Sequence, residues 1–157
     1  MSEQINAKVR VIDCDADPFV PDGWKVVEHI KGGQFEWNPT SVKLYLSESQ
    51  KSGKSVNGNK LRKELEGQKV LNANVLCYLL YCRDIPDEWK GKTILFWGTI
   101  YRGAGGLYVL CLYCRRGEWT WGYYWLGSRW FWKNVDYYGF NDNDPAAVLA
   151  SSESSLS

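Results

Sequence analysis

The stretch 93-TILFWGTIYRGAGGLYVLCLYCRRGEWTWGYYWLGSRWFWK-133 decides the fold. Its side chains alternate with a period of two, and short glycine-containing turns interrupt the alternation at Gly103–Gly106, Arg116-Gly117 and Gly127-Ser128. β-rich runs joined by such turns form hairpins, so strands at 93–101, 107–115, 118–126 and 129–133 are expected to make a four-stranded antiparallel meander.

Turn length sets the register. A two-residue turn at 116–117 pairs Arg115 with Glu118 and Cys114 with Trp119. A two-residue turn at 127–128 pairs Trp125 with Trp130 and Tyr123 with Trp132, and the four-residue turn at 103–106 pairs Tyr101 with Tyr108 and Trp97 with Leu112. Strict alternation then places Leu95, Trp97, Tyr101, Tyr108, Leu110, Leu112, Trp119, Trp121, Tyr123, Trp125, Trp130 and Trp132 on one face. The other face carries Ile94, Phe96, Gly98, Ile100, Val109, Cys111, Tyr113, Thr120, Gly122 and Tyr124. This second face is smaller and has glycines that admit a helix, so a helix is expected to pack there.

That helix lies upstream. Leu71, Val75, Leu76, Leu79 and Leu80 form a stripe near 3.6 spacing, Asn72 or Asn74 supplies a cap, and Pro86 limits continuation. Asn38-Pro39 predicts a helix to about Ser47, and Asn59 a short basic helix over 60–66 that ends at Gly67. Residues 8–12 and 24–30 read as strands around a turn-rich loop, and Asp144-Pro145 as the start of a last helical turn. The expected fold is α+β, one domain over 1–149, with two or three helices on the meander and a frayed Ser-rich tail at 150–157.

The 157 residues include nine Trp and ten Tyr against five Phe and one Met. Trp and Tyr carry a polar group that needs a partner when buried, and they are enriched at interfaces. The large aromatic face is therefore core under residues 1–70, a subunit interface or a ligand groove. Charge is segregated although the net value is only +1. Residues 1–40 hold four basic and seven acidic groups, 41–70 seven and three, 93–133 five and one, and 134–157 none and four. The ends are expected to fold back on the basic blocks. The five cysteines read as reduced thiols in a cytoplasmic protein, and no apolar run is long enough for a membrane span.

Asp13-Cys14-Asp15-Ala16-Asp17 is the sharpest acidic cluster. Alternate carboxylates can bind a divalent cation, but Pro18 and Trp24 break the EF-hand pattern, so a hydrogen-bonded turn is the expectation. Cys14 beside those carboxylates should have a raised thiol pKa. Cys111 and Cys114 sit at C-x-x-C spacing on a strand, where i and i+3 point to opposite faces and cannot chelate one ion. Ser52-Gly53-Lys54-Ser55 lacks the first glycine and the preceding strand of a phosphate-binding loop. The single histidine, His29, excludes a multi-histidine metal site and reads as structurally bonded. No catalytic residue, metal or cofactor is expected.

Basic residues interleaved with aromatics remain. Arg102, Arg115, Arg116 and Arg129 are expected to border the face of Trp97, Tyr101, Tyr108, Trp119, Trp121, Tyr123, Trp125, Trp130 and Trp132, where a guanidinium rim beside aromatic rings suits an anionic or sugar ligand. The reading is a non-catalytic binding module that forms a homodimer and binds no membrane. Its rivals are a small hydrolase-like enzyme using Asp13, Asp15 and Asp17, and a single-stranded nucleic-acid binder.

Four segments, 12-IDCDADPFVPDGW-24, 32-GGQFEW-37, 71-LNANVL-76 and 96-FWGTIYR-102, resemble small bacterial proteins of uncharacterised activity carried in mobile gene cassettes. The resemblance implies a bacterial cytoplasmic protein and assigns no functional residue.

Overall fold

The computed structural model describes residues 10–127 and 139–150. Eight strands and two α-helices follow in chain order: β1 (Val11–Asp13), β2 (Lys25–His29), β3 (Gln34–Glu36), β4 (Val42–Tyr45), α1 (Gly58–Glu64), α2 (Ala73–Cys82), β5 (Ile94–Gly103), β6 (Gly106–Arg115), β7 (Glu118–Trp125) and β8 (Ala146–Leu149). The fold is α+β. β5, β6 and β7 are antiparallel neighbours, and the expected fourth strand at 129–133 lies outside the described residues. The sheet has six described strands rather than four: β4, β8, β5, β6 and β7 in that order, with β2 also paired to β5. A separate ribbon joins β1 to β3.

The hairpin between β6 and β7 follows the turn chemistry. Arg116 and Gly117 both have positive φ, 53° and 80°. This turn twists with its strands and puts Arg115 opposite Glu118 and Cys114 opposite Trp119, as expected. Tyr101 likewise faces Tyr108.

Further along β5 the expected register fails. Leu95 pairs with Cys111 and Ile100 with Val109, so residues 96–99 bulge opposite Leu110 alone. Three extra residues are an odd number and invert the alternation. Ile94, not Trp97, therefore faces Leu112. Leu95 and Trp97 leave the side of Tyr101, Leu110 and Leu112, and Ile94 and Phe96 join it.

The bulge exists because another segment meets it. Gly98 N–H donates to Leu71 O (2.9 Å), Gly98 O accepts from Ile30 N–H (2.7 Å), and Thr99 Oγ1 accepts from Ala73 N–H (2.9 Å). A Cβ on Gly98 would stand 2.8 Å from Asn72 Cα. Here the missing side chain permits contact with the start of α2.

Each side of the sheet carries one helix. Val75, Leu76 and Leu79 of α2 share a core with Ile94, Phe96, Tyr101, Leu110 and Leu112, which half-buried Trp119 and Trp121 extend. α2 thus covers the aromatic side, not the smaller side expected for it, because that side presents the larger apolar area to be removed from water. Leu61 of α1 and Leu65 pack on the other side with Leu95, Trp97, Ile100, Val109 and Cys111.

Two further expectations change. Asn38 does cap a turn, its Oδ1 accepting from Thr40 N–H, but Pro39–Ser41 is a single 3-10 turn and Val42–Tyr45 is a strand. Val-Lys-Leu-Tyr alternates, and pairing with β8 satisfies its backbone. Ala146–Leu149 is β8 rather than a helical turn. Its Ala-Ala-Val-Leu sequence suits a helix, but β8 lies between β4 and β5, where strand pairing on both sides outweighs propensity. The short basic helix is present as α1, capped by Asn57 two residues earlier than Asn59.

Candidate functional site

The loop between β1 and β2 is folded over the end of the aromatic face, and local chemistry holds it there. Asp13 Oδ1 accepts from Asp15 N–H (3.1 Å) and Gln34 Nε2 (3.0 Å), and Asp15 Oδ1 accepts from Gly33 N–H (2.9 Å). Asn72 Nδ2 donates to Cys14 O and Ile30 O, and Asn74 Nδ2 to Asp13 O and Ala16 O. His29 closes the set, with Nε2 3.1 Å from Ala16 O and Nδ1 2.9 Å from Thr99 Oγ1. A carbonyl only accepts, so Nε2 donates to Ala16 O. The acidic cluster is thus a hydrogen-bonded turn, and His29 is structurally bonded at both nitrogens. Among the described residues no three His, Cys, Asp or Glu side chains gather where they could hold a metal ion. Burial first, then Asp15 and Asp13, pushes the Cys14 thiol up to about 11.

The anchored loop brings Phe19 and Trp24 onto the sheet. Trp24 stacks on Tyr108 (4.7 Å between centroids, 13° between planes) and meets Tyr123 edge-on (5.0 Å, 76°) and Tyr101 at a tilt (5.6 Å). Phe19 meets Trp121 edge-on at 5.3 Å. The polar tips are anchored as well. Tyr101 OH donates to Phe19 O (2.6 Å), Tyr108 OH to Ala104 O (2.8 Å) and Trp125 Nε1 to Gly105 O (3.1 Å). Burial raises the Tyr101 phenol above its ordinary pKa. Outermost stand Tyr123, 54% exposed, and Phe19, 44% exposed, with Val20 beside Phe19 in the chain.

The structure divides the sequence-predicted set. Tyr101, Tyr108, Trp121 and Tyr123 converge at this end together with Phe19 and Trp24, which the sequence reading did not include. Trp119 is half-buried in the α2 core. Trp97 is buried on the opposite side of the sheet. Trp130, Trp132 and Arg129 lie outside the described residues. The arginines do not form one rim. Arg102 is paired with Leu107 at one end of β6, and Arg115 is eight residues further along that strand, roughly 26 Å away at strand rise. By alternation both also fall on the side of Val109 and Cys111 rather than that of Tyr101.

A concavity opens on the side of α1. It is a cleft of about 520 Å³ between the end of β2, α1 and the segment leading to α2. Trp97, Leu65, Val70 and Ile30 give it an apolar lining. Glu28, Asn59, Arg62, Lys63, Glu66 and Gln68 complete its wall. Arg62 Nη2 is 2.7 Å from Glu28 Oε1, an ion pair between the acidic first segment and the basic second one. The basic block over 41–70 was the sequence signal for this wall.

Comparison of the chain with protein-family models, curated proteins and solved structures finds no match.

Proposed function

We propose that the protein is a non-catalytic binding module that works through the aromatic end formed by Phe19, Trp24, Tyr108, Trp121 and Tyr123, and that its partner there is a second copy of the chain. The observation that carries this reading is a partly exposed cluster of rings already locked by ring–ring contacts and tip hydrogen bonds. Rings held in place before contact lose little conformational freedom on binding, and buried aromatic anchors dominate interface energies. Leaving Tyr123, Phe19 and Val20 in water is unfavourable, and a symmetric pairing would cover them twice over.

The hydrolase-like alternative is less well supported, because Asp13 and Asp15 spend carboxylate oxygens on Asp15 N–H, Gln34 and Gly33. Separation of Arg102 from Arg115 weakens the case for a continuous nucleic-acid track.

Sedimentation equilibrium at micromolar concentration tests the proposal. The wild type is expected to show a species of twice 18.1 kDa. The Phe19→Ser, Tyr123→Ser double variant, altered only at exposed positions, is expected to remain folded and run as a monomer. A wild type that sediments only as a monomer would end the self-association reading.

A further inference from the structure

We infer that Tyr101 is the positioning residue of the aromatic end: its hydroxyl sets where Phe19 stands, and without it the surface that meets a second copy is not assembled. The inference rests on the self-association reading above and deepens it. Tyr101 is 0% exposed, so it does not touch a partner itself. Its ring lies in the α2 core, and its hydroxyl donates to Phe19 O at 2.6 Å. The sequence places Tyr101 among the rings that contact a ligand; burial makes it act through Phe19 instead.

Residues 17–23 form a strap between two anchored ends. Before it, Ala16 O accepts from Asn74 Nδ2 (2.9 Å) and lies 3.1 Å from His29 Nε2. After it, Trp24 is stacked on Tyr108. Between these ends, among the described residues, the Tyr101 bond is the only hydrogen bond from the sheet or the helices to the strap. Phe19 is therefore fixed at two points, its carbonyl by β5 and its ring by Trp121 of β7. Those strands flank β6, so the two ties come from backbones about 10 Å apart. With both ties the orientation of the ring is set; with the edge contact alone it is free to turn. Pro18 and Pro21 fix φ and so lower the entropy cost of ordering the strap, which lets one hydrogen bond and one ring contact hold it. Removing the hydroxyl leaves the part-buried Phe19 carbonyl without its partner, which favours movement of the strap toward water. A surface that is only fractionally assembled binds more weakly by that fraction. In a symmetric dimer each copy bears the reduction, so about threefold less of the competent form gives about ninefold weaker association.

Wild type, Tyr101→Phe and Tyr124→Phe together test this. The Tyr124 hydroxyl donates to Asp144 (3.1 Å), and its ring packs on the other side of the sheet. Tyr124→Phe thus also loses a phenol hydrogen bond, but none to the strap. One readout is the self-association constant from sedimentation, at a temperature where all three proteins are folded. The other is the Phe19 ring signal of dilute protein labelled with ¹³C-phenylalanine, assigned by its loss in Phe19→Leu; with five phenylalanines in the chain the spectrum is simple. Tyr101→Phe is expected to move the Phe19 signal toward that of an unstructured phenylalanine and to weaken association about fivefold or more. Tyr124→Phe is expected to match wild type in both. An unmoved Phe19 signal in Tyr101→Phe overturns the positioning role, and so do equal effects of the two variants, which would reduce Tyr101 to a contributor to stability. A moved signal with unchanged association overturns its bearing on binding. A wild type that sediments only as a monomer ends the self-association reading and the binding half of this inference with it, while the Phe19 signal still decides whether Tyr101 holds the strap.

Discussion

A single carboxylate shows how residue chemistry is set by position. Asp144 is 4% exposed and accepts from Asn141 N–H (2.9 Å) and Tyr124 OH (3.1 Å), while Gln50 Nε2 donates to its backbone carbonyl. Burial raises its pKa more than the Asn141 and Tyr124 hydrogen bonds lower it, and Asp142 adds to the rise. A carboxyl whose folded pKa exceeds its unfolded value of about 3.9 contributes stability below that pH and loses the contribution as pH rises through the folded value. Asn at this position cannot ionise, and it keeps an acceptor for Asn141. The Asp144→Asn variant should therefore gain stability relative to wild type between pH 4 and pH 7. Urea midpoints at both pH values check this, and a difference independent of pH would contradict it. In the sequence Asp144-Pro145 reads only as the start of a helical turn. Nothing in Asn-Asp-Asn-Asp marks which of its two acids is buried, because Gln50 and Tyr124 reach it from distant segments.

At the scale of elements, α2 and the β5 bulge form one device. Leu79 is fully buried between α2 and the sheet. Leu79→Ala should cost about 2–5 kcal/mol, as large-to-small core changes do where the cavity cannot collapse. A urea midpoint equal to that of wild type would remove α2 from the core. Gly98→Ala should also destabilise, by about 1–3 kcal/mol or more, because the new methyl meets backbone atoms of Leu71 and Asn72 at 2.8 Å rather than a flexible side chain. A melting temperature within error of wild type would show that the bulge can shift away. The stripe of α2 was legible at 3.6 spacing, and an isolated glycine inside a strand pattern is a recognised sign of a bulge. Its size was not legible. Three extra residues, rather than one, follow from where Leu71, Ala73, His29 and Ile30 present their hydrogen-bonding groups.

For the whole molecule, the described ion pairs do little to hold the segments together. Arg10–Asp84 (2.8 Å) and Arg62–Glu28 (2.7 Å) link distant parts of the chain, but their side chains are exposed enough for solvent to screen the attraction. The two cores supply the stability, and the cysteines report on them. All five are free thiols. Cys82 is exposed, whereas Cys14 and Cys111 are buried, with burial pushing the latter thiol up to about 12. Ellman's reagent at pH 8 should therefore modify Cys82 first and reach Cys14 and Cys111 only after unfolding. Rapid modification of five thiols in the native state would show that the cores open readily.

The local hydrogen-bonding rules of the chain were enough to determine the β6–β7 hairpin register, α1 and α2, since each depends on neighbours close in the chain. The side of the sheet that α2 covers, the strand character of 42–45 and 146–149, and the packing of Phe19 and Trp24 on the sheet were decided by tertiary structure. β4 and β8 exist because each completes the other's backbone pairing, and Phe19 reaches Trp121 only because Asn72, Asn74 and His29 anchor the loop that carries it. Such contacts join residues tens of positions apart, and no local period or propensity encodes which distant group will be there to meet them.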